Sequence, residues 1–463
     1  MSDARLLTAH IGVGQILIYT VPFLLFGEHL RQNPEILQSR RVLGMSRAAL
    51  ERAYRALLIV ILLAATLLVS RIVVRTVLNP PGWDYQGLWL YGHVVDSGQN
   101  PYLPGPYHSL AGPGPFVEDF REEVLDVGAV YPPPTLLVFA AMGFLPMRVA
   151  IVPWMIVQGL AFLAMVFLLW RIFLPGSGTV GLALAFTLTL LLPGTITTFG
   201  SGQVNFIAVL CVLAAWRTRN RAASGAYLVG ATVMKLLYGA LWLYPVLRRR
   251  WHPLIGIFLA GAGAMLASLA VLGPHVIATY FTDNPVVHRM PSYYFMTNVN
   301  QSLLGASLRL MPYHMPAFGP PTHHPLYIIS AAIVGLITVL LVVRAPHNAQ
   351  GEALALTLLL LGGMLIYPWT LSNYFVILLV PMGFLWATRK QSLLGVVGTT
   401  ILLSAVYPIT YIQNGRYSIL ATIFLWLAIC VIATHAIRAS REASKRSVNG
   451  APLDLTENAP TAV

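Results

Sequence analysis

Acidic side chains are scarce in this chain, with 16 Asp and Glu among 463 residues, and all charged residues together reach only 10%. A soluble domain carries about 25%, so the scarcity excludes a chain surrounded by water. Cysteine is scarcer still. Cys211 and Cys430 both lie inside apolar runs, which excludes a disulfide framework or a thiolate metal site and leaves two small buried hydrophobes. The N-terminus lacks a basic region followed by a small-residue cleavage site, so no signal peptide is read there. No internal repeat or inverted hydropathy symmetry stands out, which weighs against a transporter.

What the chain has in abundance is apolar surface, at 57% of residues. The runs are long and continuous instead of alternating with period two, which predicts membrane helices and not a barrel. They fall at 10–27, 56–78, 132–146, 149–173, 179–199, 203–216, 222–247, 253–272, 326–344, 353–371, 373–388, 392–410 and 418–437. The expected fold is all-α, a polytopic membrane protein of about 11–13 transmembrane or half-membrane helices. Its two large outer loops are 79–131 and 273–325.

The net charge of +13 sits in short clusters between these runs: Arg47/Arg52/Arg55, Arg217/Arg219/Arg221, Arg248/Arg249/Arg250, Arg389/Lys390 and Arg438/Arg441/Lys445/Arg446. That is positive-inside topology, not a nucleic-acid surface, and it makes those loops cytoplasmic. Residues 1–55 then hold an N-terminal apolar segment and a basic linker, 56–437 the membrane domain, and 438–463 a cytoplasmic tail without structure. The run 222–247 has arginine clusters at both ends, so it must turn back inside the membrane or at its outer face, with Lys235 at the apex. The run 132–146 is too short to span, and its ends both face outward as a re-entrant or juxtamembrane helix.

Eight of the carboxylates fall on the outer side: Asp84, Asp96, Glu118, Asp119, Glu122, Glu123, Asp126 and Asp283. The group at 118–126 reads as a solvated helix face, and Asp96 and Asp283 stand in turn signals. Asp84 differs. It opens Trp83-Asp84-Tyr85-Gln86 just beyond a membrane run and begins an aromatic-rich helix. A helix cap is the plain reading of such an Asp. The other is acid–base chemistry on a substrate anchored in lipid, and the surroundings favour it.

Several stretches together resemble a known family. Trp83-Asp84-Tyr85, Asn100-Pro101-Tyr102 and Tyr131-Pro132-Pro133 are similar to the first outer loop of glycosyltransferase family 87. Gly202-Gln203-Val204-Asn205 follows, then Lys235 with an apolar run to Arg248-Arg249-Arg250-Trp251, then Asn300-Gln301-Ser302-Leu303-Leu304-Gly305. The resemblance runs from about residue 56 to 390. Tyr85 replaces the family's usual Phe or similar residue, and no Pro follows Lys235 closely.

The resemblance implies a membrane-embedded, C-type glycosyltransferase fold. It also implies a sugar carried on polyprenyl phosphate, a glycolipid or lipid-linked glycan acceptor, and transfer at the outer face of the cell membrane. Relatives include mycobacterial mannosyltransferases that use polyprenyl-phosphate-mannose, and arabinofuranosyltransferases. Mannose leads and arabinofuranose is the alternative; a ligase or polymerase using a diphosphate-linked donor, and a lipid transporter, stand further off.

Asp84 would be the general base, and with no second acid beside it direct displacement would invert the anomeric carbon. Lys235, His288 and Arg289 are candidates for the donor phosphate. Gln86, Tyr131, Gln203, Asn205, Asn300 and Gln301 are candidates for sugar or acceptor contacts, although interfacial amides also join helices. Trp83, Tyr102, Tyr293, Tyr294, Trp369 and Tyr374 read mostly as interfacial belt residues. No Asp-x-Asp pair occurs, and a single leaving phosphate carries less charge than a diphosphate, so neither metal nor cofactor is expected. The expected partners are the donor, the acceptor and membrane lipids, with no nucleic acid.

Overall fold

Hydrocarbon offers no partner to a backbone amide, so apolar runs close their hydrogen bonds within helices. The computed structural model describes residues 19–32, 47–80, 84–110, 126–311, 315–388, 393–411 and 417–448. Among them every element is helical except two isolated bridges, Pro291 with Phe318 and Asn300 with Leu371. Six spans are long and apolar enough to cross a membrane: Ala48–Leu78, Met147–Phe173, Trp251–His288, Pro325–Arg344, Ala349–Ile366 and Ile419–Ala443. The pair Gly178–Leu191 and Pro193–Ser201, bent by 66°, makes a seventh if taken as one. Shorter apolar helices, including Pro133–Gly143, Asn205–Arg217, Ala222–Met234 and Leu236–Leu247, complete an all-α, multi-pass membrane protein. Trp83, the acidic residues 118–123, His314, Arg389/Lys390 and the segments 1–18 and 449–463 lie outside the described residues.

Two breaks in the helices bring polar groups to one place. Pro193 disfavours a helical residue before it, and Leu192 is extended at φ −71°, ψ 129°. The bend that results delivers Ser201-Gly202-Gln203 to the end of a short helix. Lys235 is extended too, at φ −151°, ψ 115°, between helix Ala222–Met234 and a 3₁₀ turn Leu236–Trp242. This is the hairpin expected of 222–247, with the lysine at its apex. Helix Asn205–Arg217 leaves from beside Gln203, and Ala222–Met234 returns to Lys235. The reversal carrying Arg217, Arg219 and Arg221 therefore lies at the far end of the bundle.

Two boundaries differ from the sequence reading. Gly273-Pro274 was expected to open the second loop, and the helix from Trp251 does break there, with Gly273 non-helical at φ 80°, ψ 162°, but a second helical segment follows to Thr282 inside the expected loop. Glycine reaches that positive-φ conformation without strain, and Pro274 after it suits the first turn of a new helix. The last helix, Ile419–Val448, continues past 438 into the expected tail. Ala436 to Val448 contains neither Pro nor Gly, so nothing there stops it.

Helix Pro133–Gly143 does not span. It pairs with helix Tyr85–Asp96, and small residues set the contact. A Cβ on Gly92 would stand 2.0 Å from the Phe139 carbonyl oxygen, and one on Gly143 2.2 Å from the Gly92 carbonyl carbon. Along the seam Tyr85 Oη donates to Met147 O at 3.0 Å and Trp89 Nε1 to Leu145 O at 2.8 Å. Gly92→Ala is expected to force the pair apart and cost about 1–3 kcal/mol, as overpacking does. The measurement is the unfolding midpoint in detergent, and an unchanged midpoint would show that the helices do not meet at Gly92.

Candidate active site

The helix breaks and the second loop enclose a cavity of about 460 Å³, within the range of ligand sites. Asp84, Gly87, Leu88 and Tyr91 line it from helix Tyr85–Asp96, at the i, i+3, i+4, i+7 spacing of one helical face. Tyr131, Gln203 and Lys235 add the polar wall, and Tyr280, Tyr294, Phe295, Tyr367, Trp369 and Tyr374 supply aromatic rings. Among the described lining residues, Asp84 is the only carboxylate and Lys235 the only lysine or arginine.

Asp84 stands at the N-cap position but makes no side-chain cap hydrogen bond. Its carboxylate is therefore not spent on the helix, which disfavours the plain capping role. It shares the cavity lining with Gln203 and Lys235. Burial among protein groups raises its pKa above the ordinary aspartate value, while the Lys235 charge and the polar side chains of Ser201 and Gln203 act in the opposite sense.

Lys235 is buried, and its Nζ donates to Gln203 Oε1 at 2.8 Å. The same Nζ lies 3.9 Å from the ring centroid of Tyr374 and 5.9 Å from that of Tyr131. An ammonium in apolar surroundings needs such compensation, and ring faces supply part of it.

Local backbone geometry fixes this wall. Gly202 ends its helix at φ 70°, ψ 28°, a left-handed conformation that favours glycine. A Cβ there would meet Tyr85 Cβ at 2.9 Å. The Gly202 carbonyl accepts from Trp154 Nε1 at 2.7 Å, which ties the turn to a long span. Thr135 Oγ1 donates to Val233 O, anchoring helix Pro133–Gly143 just before Lys235.

The structure thus brings together Asp84, Tyr131, Gln203 and Lys235. The other expected site residues turn elsewhere. Gln86 is buried and donates to Pro80 O at 3.0 Å. Asn205 donates to Thr198 Oγ1 at 3.0 Å and to Asn373 O at 2.9 Å, joining two helix ends. Asn300 Nδ2 donates to Phe295 O at 2.8 Å and Pro368 O at 3.0 Å. Gln301 Nε2 donates to Asn298 O, and its Oε1 accepts from Ile419 N at 2.7 Å. Asn300, Gln301 and Ser302 form a clamp on the turn 367–371, and that turn carries Trp369 to the cavity. His288 is exposed. Arg289 pairs with Asp283 at 3.0 Å and donates to the Tyr102 and Val127 carbonyls, so it ties the two loops together.

Tyr91, Tyr280, Asn284, Tyr367 and Ser201 join the site without having been singled out in the sequence. The signal for Tyr91 was present, seven residues after Asp84 on the same face. Ser201 stood two residues before Gln203. Nothing local marks Tyr280, Asn284 or Tyr367.

A carboxylate and an ammonium on one wall of an aromatic cavity, at the ends of membrane helices, define an all-α membrane protein with a built polar site. The model of glycosyltransferase family 87 matches residues 129–372, more than half of the chain. The chain belongs to that family and is a glycosyltransferase. No curated protein and no solved structure matches it. The matched residues include Tyr131, Gln203 and Lys235, while Asp84 precedes them.

Proposed function

We propose that this enzyme moves a sugar from a polyprenyl-phosphate donor to a lipid-linked acceptor, with inversion, and that Asp84 is the general base. The observation that carries the reading is that the described cavity lining holds one carboxylate, Asp84, and one ammonium, Lys235. Asp84 takes the proton of the acceptor hydroxyl as its oxygen bonds to the anomeric carbon. The bond from that carbon to the phosphate oxygen breaks, and its electron pair leaves with polyprenyl phosphate. A double displacement uses two carboxyl groups about 5–5.5 Å apart, and the described wall holds one.

Lys235 supports the departing phosphate. An ammonium has three N–H groups; Gln203 and the Tyr374 ring face engage it, which leaves a donor for a phosphate oxygen. One ammonium suits a single phosphate better than a diphosphate. Apolar residues at the cavity rim, Leu236, Val287 and Val299, are exposed and suit a lipid-borne substrate.

On this reading residues 56–437 carry the transferase, 1–55 add a segment before it, and 438–463 end the chain. The arginines at 217–221 and 248–250 lie at the bundle end remote from the cavity. By the positive-inside rule, that puts the cavity on the extracytoplasmic face of the cell membrane. Mannose is the leading sugar.

The test offers polyprenyl-phosphate-mannose and polyprenyl-phosphate-arabinofuranose to the purified protein in nanodiscs with a mixed glycolipid pool, and reads product stereochemistry. Inverted product from one donor is expected. Retained configuration would end the single-displacement reading, and turnover of neither donor would end the polyprenyl-phosphate assignment.

A further inference from the structure

The turn 367–371 is tied to the second outer loop on both sides of Trp369. Before it, the Pro368 carbonyl accepts from Asn300 Nδ2 and from Ser302 Oγ, each at 3.0 Å. After it, the Thr370 carbonyl accepts from Gln301 N at 2.6 Å, and Ser372 N donates to Val299 O at 2.9 Å. Asn300, Gln301 and Ser302 are fully buried. Arg309 Nη1 braces them by donating to Asn300 O at 2.8 Å. Buried polar groups cost free energy unless they are bonded. Here the bonds converge on the carbonyls that flank one indole.

Trp369 is half-buried and lines the cavity. Among the described residues its one ring neighbour is Phe295, with centroids 5.7 Å apart and the planes tilted by 56°. Phe295 is fully buried in the apolar cluster behind the turn. The indole is thus backed by core on one side and open to the cavity on another. Other rings of the lining are already engaged. Tyr374 lies under the Lys235 ammonium at 3.9 Å, and Tyr294 stacks on Tyr293 at 4.7 Å. Tyr131 meets Phe139 edge-on at 5.4 Å, and Tyr280 lies 5.1 Å from Tyr102. The stretch from Tyr367 to Tyr374 therefore carries Trp369 near one end and, at the other, the ring that holds Lys235.

We propose that Trp369 is the platform on which the transferred sugar stacks as a pyranose, and that Asn300 and Ser302 are positioning residues that hold the indole there. The inference rests on the reading of this cavity as the transfer site and names the class of sugar it takes. An aromatic face carries negative charge density. A chair pyranose turns a flat row of axial C–H groups, slightly positive, to one side of its ring. A puckered furanose presents no such row, so the platform favours a hexopyranose over a pentofuranose.

The experiment is saturation-transfer NMR on the full-length protein in nanodiscs, with methyl mannopyranoside and methyl arabinofuranoside as probes. It needs no lipid-linked donor. Binding of the pyranoside with turnover of neither polyprenyl-phosphate sugar would end the donor reading and leave the platform standing. The wild type is expected to saturate the pyranoside C–H protons in preference to those of the furanoside. Trp369→Leu should weaken the pyranoside by about tenfold, the size of one aromatic contact. Trp369→Phe, with a smaller face, should weaken it by about threefold, and must do so even if the Leu variant does not assemble. Ser302→Ala should also weaken the pyranoside, but should have no further effect in the Trp369→Leu background, because the two act through one ring. A merely structural role for Ser302 would leave its effect unchanged in that background. The proposal is overturned if the Leu and Phe variants bind the pyranoside as wild type does, if Tyr367→Leu abolishes binding while Trp369→Leu does not, if the furanoside is preferred, or if the wild type saturates neither glycoside.

Discussion

Asp84→Asn is expected to lower transfer by about 10²–10⁴-fold, the range for loss of a positioned general base. The substitution is nearly isosteric. It removes the charge and the capacity to take a proton while keeping the shape. Because the lost interaction belongs to the transition state, kcat and kcat/KM should fall together while KM changes little. Wild-type rate should also rise with pH, since only the ionised carboxylate is a base. Burial raises the Asp84 pKa, so that rise is expected above the ordinary aspartate range. The residual activity of Asp84→Asn should lack the limb altogether. Single-turnover kinetics from acid to neutral pH, with unfolding midpoints as a check on assembly, make the comparison. An Asn variant with wild-type rate would move the base to another group. Tyr91 and Tyr131 line the same cavity, but burial raises both phenols, which leaves them poorly suited to the task.

The parts of the site that could be read in the sequence are those fixed by local rules. Lys235 was placed at an apex because arginine clusters bracket a run too short for two full crossings. The helix at Asp84 was visible from its aromatic and apolar spacing, and the i+7 relation that puts Tyr91 on its face was readable as well. The amides were harder. Asn205, Asn300 and Gln301 looked like sugar contacts because they sit at helix ends near the right face. Their partners are Asn373, Pro368 and Ile419, far along the chain, and spacing carries no information about them. Arg289 likewise looked available for phosphate until its carbonyl partners on the first loop, Tyr102 and Val127, were in place. Gly273-Pro274 was legible as a helix break, and Gly273 is non-helical there. The segment that resumes after it, to Thr282, was not legible, because a break signal does not say whether a helix follows.

The second large effect is expected at the opposite end of the bundle, where Glu352 holds two arginines. Its carboxylate accepts from Arg248 at 2.9 Å, from Arg250 at 2.6 Å and from the Tyr244 hydroxyl at 2.7 Å. The side chains of Arg248 and Glu352 are 0% and 3% exposed. Arg248 also donates to the carbonyls of Val342, Ala345 and Pro346, so this one guanidinium joins the returning limb of the Lys235 hairpin to the reversal between two spans. Glu352→Ala would leave that guanidinium buried without its counter-charge, a change that costs about 3–5 kcal/mol. The exposed pair Arg55–Glu51, 2.7 Å apart on one helix, is the contrast. Arg55→Ala should cost no more than about 0.5 kcal/mol, because water and salt already screen it. Denaturation of the three proteins in one detergent, followed by helical signal, separates the cases. Adding Arg248→Met to Glu352→Ala should recover part of the loss, since it removes the stranded charge and keeps much of the side chain's volume. Because the network lies away from the cavity, the Glu352 variant should lose folded enzyme instead of turnover per folded molecule. If Glu352→Ala proved as mild as Arg55→Ala, the hairpin limb would have to be held by its apolar packing alone.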